Sequence, residues 1–420
     1  MRDNDVIVVG GGPAGLMAAG RAAELGAKVM LIEKTYRIGS KLLITGGGRC
    51  NITNNAGTNE FIEAFGANGE GEFLYRALSL FSNKDLIAFF SARGLEMRTD
   101  PDGKIFPVSD SAESVLAVLR AYVKKYKVFI IHNSVVSELL LSQDSKTVAG
   151  IKLQNGETYA TKNVIIATGG LSYPKTGSTG DGYALAKQCG HTIIPTRAAL
   201  VPLESDEGFI KELQGITLKD LVITLMVEGK TIASEQGDLL FTHFGVSGPK
   251  VLILSGKAVD ALAEGNKAEL SLNFKHQHNT EELERILQTQ WLSCGNKTFR
   301  NFLNDSFPES FAEVFEERCG MKNGIKCSAI NRDDRKRIAK QFTDFRIQIT
   351  KPRPIEEATI TGGGVNLSEL NPQTMESKLV KGLYFCGEVI DLDGITGGYN
   401  LQEAFSTGYL AGESAFKHEA

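Results

Sequence analysis

The residues of this 420-residue chain best suited to chemistry stand in glycine-rich clusters. The first is Gly10-Gly11-Gly12-Pro13-Ala14-Gly15, a G-x-G-x-x-G turn, with Glu33 standing 18 positions past its last glycine. Gly10 permits a tight turn, Gly12 lets the backbone approach a pyrophosphate, and Gly15 lets a helix press on the preceding strand. The pyrophosphate then meets unpaired N–H groups and the positive end of a helix dipole. Glu33 can accept hydrogen bonds from both ribose hydroxyls of an adenosine and would repel a 2′-phosphate. The ligand this chemistry fits is a dinucleotide, NAD or FAD. A second cluster, Thr45-Gly46-Gly47-Gly48-Arg49-Cys50-Asn51, sets successive backbone N–H groups beside a guanidinium, a thiol and an amide. An ordinary turn needs fewer glycines. The next cysteine after Cys50 is Cys189, so a dithiol couple at Cys50 has no near partner in the sequence. His243, in Phe241-Thr-His-Phe-Gly, could serve as an acid or base near neutral pH, and a hydrogen-bonded structural role fits it equally. Arg353, between two prolines, could clamp a carboxylate or close a structural ion pair. His276-Gln-His278 has no further ligand at metal spacing, so no metal site is expected.

Regular elements must hold these clusters in place. Val6 to Val9, Ala14 to Leu25 and Lys28 to Ile32, with Gly26 as a helix stop, read as a complete β-α-β unit around the first glycine turn. Val128 to Asn133, Val135 to Leu141 and Ala149 to Leu153 read as hairpin-like strands. Asn163-Val-Ile-Ile-Ala167-Thr168-Gly169-Gly170 is a buried strand ending in small residues, and Gly382-Leu-Tyr-Phe-Cys386-Gly387-Glu388 is another. Gly394-Ile-Thr-Gly397-Gly398-Tyr399-Asn400-Leu401 then runs into a helix expected over Gln402 to Gly412. The strand-helix rhythm breaks after about Pro195, giving alternating strands at Leu221 to Val227 and Leu270 to Phe274. Asn279 to Trp291 has helical spacing, with Leu283, Ile286 and Leu287 on one face and Asn279 and Glu282 placed as a capping box. The division expected is 1–195 with 351–420 as one domain and 196–350 as an insertion, β-rich over 196–275 and helical over about 276–343.

Composition bounds the reading. With 46 Lys+Arg against 50 Asp+Glu, net charge -4 and 42% hydrophobic residues, nothing points to a nucleic-acid or membrane-surface binder. No stretch approaches the roughly 18 apolar residues of a spanning helix. The six cysteines contain no C-x-x-C pair, so a cytoplasmic protein with reduced thiols is expected.

The strand end at Ala167 to Gly170 resembles the second FAD signature of flavoprotein oxidoreductases. Gly387-Glu388 resembles the third, whose acid binds a ribityl hydroxyl and whose following helix points its N-terminus at the flavin pyrimidine. An NAD-only dehydrogenase would leave the C-terminal piece without a use. Adding Lys41 to Asn51, Leu171 to Tyr183, Leu239 to Pro249, Pro352-Arg353-Pro354, Thr359 to Val365 and Thr374 to Lys378, the chain is similar nearly end to end to one family. It comprises the aminoacetone-oxidase-like and bile-acid-reductase-like (BaiN-type) NAD(P)/FAD-dependent oxidoreductases. The resemblance implies an α/β fold: a discontinuous Rossmann-like FAD-binding domain of the glutathione-reductase type, with an inserted β-barrel-like and small helical domain covering the flavin. It also implies FAD contacts at Gly10, Gly12, Pro13, Ala14, Gly15, Glu33, Lys34, Lys41, Thr45, Gly46, Gly47, Gly48, Arg49, Cys50, Asn51, Val136, Ala167, Thr168, Gly169, Gly170, Gly387, Glu388, Gly397, Gly398, Asn400 and Leu401. Catalytic candidates are Arg49, Cys50, Asn51, His243 and Tyr399.

Gly177-Ser-Thr-Gly180-Asp-Gly182 has the wrong spacing for a second nucleotide turn. The resemblance to the reductase members of the family implies that NAD(P)H reduces the flavin transiently, without a domain of its own. Hydride would then pass from flavin N5 to a small-molecule alkene or ketone. An O2-using oxidase of a small amine such as aminoacetone and a non-catalytic redox sensor are the alternatives. The partner expected is a small molecule, with neither nucleic acid nor membrane, and the sequence is silent on oligomeric state.

Overall fold

The computed structural model describes residues 4–66, 70–293 and 296–417, and Cys294 lies outside them. Two compact units divide the chain, Met1–Arg197 with Ile355–Ala420, and Ala198–Pro354.

The first unit is built on a parallel sheet of β1 (Val6–Val9), β2 (Val29–Ile32), β3 (Phe129–Ile131), β4 (Val164–Ile166) and β5 (Leu383–Phe385), in the order β5-β4-β1-β2-β3. Four of these strands are buried at every position. A parallel sheet covered on both faces has no polar side, which is why these strands read as unbroken apolar runs. β5 comes from the far end of the chain, so the sheet is complete only when both chain segments contribute.

Helices α1 (Pro13–Glu24) and α2 (Tyr399–Lys417) pack against each other at backbone distance. A Cβ on Gly408 would lie 2.4 Å from the Ala14 carbonyl oxygen, and one on Gly412 would lie 2.3 Å from that of Ala18. The four-residue glycine spacing on α2 and the alanine face of α1 make this approach possible. The strand at 128–133 is a correction. Phe129–Ile131 pairs parallel with β2 at the sheet edge, and the antiparallel meander is Val136–Leu141, Val148–Leu153 and Thr158–Ala160. Val128 to Ile131 is as apolar as the neighbouring strands, but Phe129 is 45% exposed because this strand lies at the sheet edge.

The second unit carries a seven-stranded antiparallel sheet in the order Phe345–Ile349, Ala268–Asn273, Thr217–Val227, Lys230–Phe241, Gly245–Ser247, Leu203–Glu204, Lys351–Pro352. Its two end strands are successive halves of one segment, 345–352, so the sheet returns on itself in the barrel-like manner expected. The helices Thr280–Ser293, Phe299–Asn304, Glu309–Arg318 and Arg332–Thr343 follow. Asn279 Oδ1 accepts from the Glu282 N–H (2.9 Å) and Glu282 Oε2 from the Asn279 N–H (3.2 Å), a reciprocal cap. The stretch read as β-rich also holds a 15-residue helix, Pro249–Ala263. Its opening Val-Leu-Ile-Leu run matches a strand by composition. Pro249 at the first helical position, after Gly248 at φ +113°, is the start signal that was passed over. Among the described residues no helix is long and apolar enough to cross a membrane.

Candidate active site

The carboxyl ends of β1, β4 and β5 carry the clusters Gly10 to Gly15, Ala167 to Gly170 and Gly387-Glu388, on the side of an open parallel sheet where ligands bind. Space decides two of the glycines: a Cβ on Gly10 would lie 2.4 Å from the Ala167 carbonyl oxygen, and one on Gly15 would lie 1.9 Å from that of Gly10. Gly12 is different, because a Cβ there would meet nothing within 4 Å. The packing glycines and the open one fall where the motif assigns them. Gly12 is also the N-cap of α1 with no side-chain cap, Pro13 follows it, and Ala14 and Gly15 are buried. The first turn of α1 thus has no side-chain cap, and space is open beside Gly12, the environment an anion requires.

Glu33 is held by its own chain. Its Oε2 accepts from the Gly11 N–H (2.8 Å), and its Oε1 from the Thr35 N–H (2.8 Å). The Thr35 hydroxyl also donates to Oε1 (2.8 Å), which aims the carboxylate and leaves about one of its roughly four acceptor positions for a ribose hydroxyl. Gly11 has a function the sequence reading missed, since a Cβ there would lie 2.5 Å from Ile38 and 3.0 Å from Glu33 Oε2. Val136, 5% exposed, opens the meander beside this strand end, where the Ser134 N–H donates to the Glu33 carbonyl (3.1 Å).

Lys34 Nζ is paired with Asp181 (2.7 Å) and donates to Thr179, and Lys41 Nζ is paired with Glu388 (2.5 Å) and donates to Ser172 (2.6 Å). Each ammonium is paired with a carboxylate of the protein. Glu388 Oε1 accepts further from Ser172 Oγ (2.9 Å) and the Thr361 N–H (2.9 Å). Gly170 keeps this network close: a Cβ there would lie 2.4 Å from Thr361 Oγ1 and 3.0 Å from Glu388 Oε1. Ser172 and Thr361 went unassigned in the sequence although both stand in family-like blocks.

The Thr45 to Asn51 loop turns through three left-handed glycines, Gly46, Gly47 and Gly48 at φ +56°, +67° and +89°, and then Cys50 at φ +62°. The Cys50 N–H closes the loop on the Thr45 carbonyl (3.0 Å). Arg49 is exposed, with its guanidinium 4.6 Å from the centre of the Phe106 ring. Cys50 as a catalytic thiol is a correction, because its side chain is wholly buried and burial pushes the thiol up to about 12. It is a packing residue. Asn400 is another: its Oδ1 accepts from the Gly394 N–H (2.8 Å), and its Nδ2 donates to the carbonyls of Gly394 (2.9 Å) and Ile395 (3.2 Å). The amide is spent on fixing the glycine turn that starts α2. Gly387 packs on Ala14, where a Cβ would come within 2.7 Å, and Leu401 is partly buried against the core. His243 belongs to the second unit, exposed in the turn before Gly245–Ser247, with its ring 4.9 Å from that of Phe244. Arg353 closes a structural ion pair with Glu204 (2.9 Å) and lies over the Phe244 ring.

Two buried acceptors in these clusters have no hydrogen-bond partner, Asn51 Oδ1 and Thr168 Oγ1. An orphaned buried polar atom is costly unless something outside the chain satisfies it. Together with the uncapped α1 and the open faces of Gly12 and Gly47, they fit a polar dinucleotide lying across the strand ends. Bound there, FAD would supply hydride chemistry, with Gly10 to Gly15, Glu33, Thr45 to Asn51, Ala167 to Gly170, Gly387 and Glu388 around it.

The class these features define is the FAD-dependent oxidoreductase of glutathione-reductase-like fold. Within it, the chain belongs to the HI0933-like family, whose Rossmann-domain model matches residues 4–414. It is 31% identical over 415 residues to the 3-dehydro-bile acid delta(4,6)-reductase of Clostridium scindens, covering 98% of this chain and 99% of that one. It is 32% identical to the ribosomal RNA dihydrouridine synthase of Escherichia coli, covering 97% of each. Among solved structures, the 3-ketosteroid delta1-dehydrogenase of Sterolibacterium denitrificans matches over the whole of both chains with a TM-score of 0.55 at 14% identity. A flavocytochrome c3 fumarate reductase matches 99% of this chain and 78% of its own with a TM-score of 0.53 at 18% identity. The last two likenesses are of fold.

Proposed function

We propose that the protein reduces a carbon–carbon double bond conjugated to a carbonyl, using FAD recharged by NAD(P)H, in a small-molecule substrate handled in the cytoplasm. One observation carries this reading. Two relatives that match over nearly all of both chains bear names for reductions of different molecules that share one bond type. A delta(4,6) alkene in a 3-oxo bile acid and the C5–C6 alkene lost when uridine becomes dihydrouridine are both conjugated to a carbonyl. Such an alkene accepts hydride at its β-carbon because the carbonyl takes up the electron pair. Cys50, closed off and protonated, supports an organic acceptor over a dithiol.

The test is an anaerobic mix of the FAD-loaded protein with NADPH or NADH, followed by 2-cyclohexen-1-one, androst-4-ene-3,17-dione or a uridine-containing oligoribonucleotide. Bleaching of the oxidised-flavin band and its return with either ketone is the expected result. Return with the oligoribonucleotide alone would move the substrate to RNA. No bleaching by either nicotinamide, with peroxide formed from aminoacetone in air, would replace the reading with an amine oxidase.

A further inference from the structure

Reducing a conjugated alkene takes a proton as well as a hydride. Tyr399 is the first residue of α2, directly after Gly397-Gly398. That turn is pinned to the segment following Asn51: a Cβ on Gly398 would lie 2.3 Å from the Thr53 carbonyl oxygen, and Asn54 Nδ2 donates to the Gly397 carbonyl (3.0 Å). Tyr399 therefore stands at a turn held against the segment that leaves the Thr45 to Asn51 loop. Its ring lies edge-on against Phe61, with centroids 4.9 Å apart, so its placement is rigid. The ring is half-buried, and the hydroxyl has no hydrogen-bond partner among the described residues. Burial raises the phenol above its ordinary value, and the charge of Glu60, on the neighbouring helix Thr58–Glu63, adds to this. It is a proton donor at neutral pH and no base.

The other protic groups nearby serve less well. The Cys50 thiol is closed off, the Asn400 amide is spent, and Glu403 is 3% exposed.

We propose that Tyr399 is the proton donor of the reduction, a role that rests on the conjugated-alkene reading. As hydride from NAD(P)H, carried by the flavin, forms a C–H bond at the β-carbon, the alkene electron pair moves to the α-carbon and carbonyl. A C–H bond forms at the α-carbon as the Tyr399 O–H bond breaks, and the phenolate recovers its proton from water.

The decisive variant is Tyr399→Phe, which keeps the ring on Phe61 and removes only the hydroxyl. Bleaching by NAD(P)H stays within a few-fold of wild type, whereas return of the oxidised band with 2-cyclohexen-1-one or androst-4-ene-3,17-dione slows about 10²-fold or more. Equal slowing of both half-reactions, or of neither, overturns the role. A contact measurement stands apart from turnover: 3-fluorotyrosine placed at 399 shifts its 19F resonance when 2-cyclohexen-1-one binds the oxidised FAD protein. The same substitution, by acidifying the phenol, moves the alkaline limb of the second half-reaction to lower pH. An unmoved resonance and limb reject Tyr399 even if the Phe variant misfolds. A wild-type flavin that no conjugated alkene reoxidises removes the reductase reading itself, and Tyr399's role with it.

Discussion

Glu403 sits on α2 at 3% exposure, with the Thr407 hydroxyl 3.2 Å from its Oε1. Burial pushes its carboxyl up to about 8, the charge of Glu388 adds to this, and the Thr407 hydrogen bond opposes it. The folded state therefore keeps a proton that the unfolded chain releases in the ordinary carboxylate range. Stability from this group is complete below that range and is lost as pH rises through about 8. Glu403→Gln is expected to raise Tm above wild type by a margin that widens from pH 6 to 8 and then levels; a constant margin would show that the group titrates normally. His191 runs the other way. Its ring joins Glu369 (3.0 Å) and Ser377 (2.8 Å) in an order that resembles a hydrolytic triad, yet the side chain is 0% exposed and closed to any substrate. Burial holds its pKa below the usual value against the pull of Glu369, so it contributes stability above about 6.5 that is lost on acidification. Thermal melts of His191→Gln should lose less between pH 7.5 and 5.5 than wild type does. Gly10, Gly12 and Gly15 were legible in the sequence because a turn, a strand and a helix adjoin them. Glu388's partners were not, because Thr361 bonds Leu171 across 190 residues and only folding brings such residues together.

Helix α2 shows what an element can hide. Its Ala/Gly spacing was readable, but the helix runs from Tyr399 to Lys417, beyond the expected Gln402 to Gly412 at both ends. Gly412 is a contact residue inside the helix and no stop signal. A Cβ there would press on the Ala18 carbonyl, and backbone cannot step aside as a side chain can. Gly412→Leu is expected to cost about 1–3 kcal/mol or more in denaturant titrations and to lower FAD content, because α1 carries the first glycine turn. A variant as stable as wild type would mean that α1 and α2 part easily. Helix Pro249–Ala263 failed for a different reason. The turn Val251 to Leu254, just after Pro249-Lys250, is apolar on every side, so neither a period of two nor one of 3.6 stands out there.

At the scale of the molecule, each unit has its own apolar core. The chain's single tryptophan, Trp291, is 3% exposed in the second core and reports on that unit alone. FAD at 100 times its Kd should stabilise the first unit by about 2.7 kcal/mol, raising the temperature of flavin release while leaving the Trp291 transition in place. Coincident shifts in both probes would show one cooperative unfolding. That an insertion interrupts the first fold was legible because the strand-helix rhythm stops and resumes. Its closed sheet was expected only through the family resemblance, since the closure depends on one segment pairing along both ends of the order.

The position of β5 has a consequence during synthesis. A ribosome delivers Val164–Ile166 long before Leu383–Phe385, and every strand of the second unit lies between them. The nascent chain can finish the insertion while the edge of β4 is still unpaired, an open template for a wrong partner. The flavin cradle is thus the last part to mature, and a shortage of chaperones would first yield chains with a sound insertion and no cofactor.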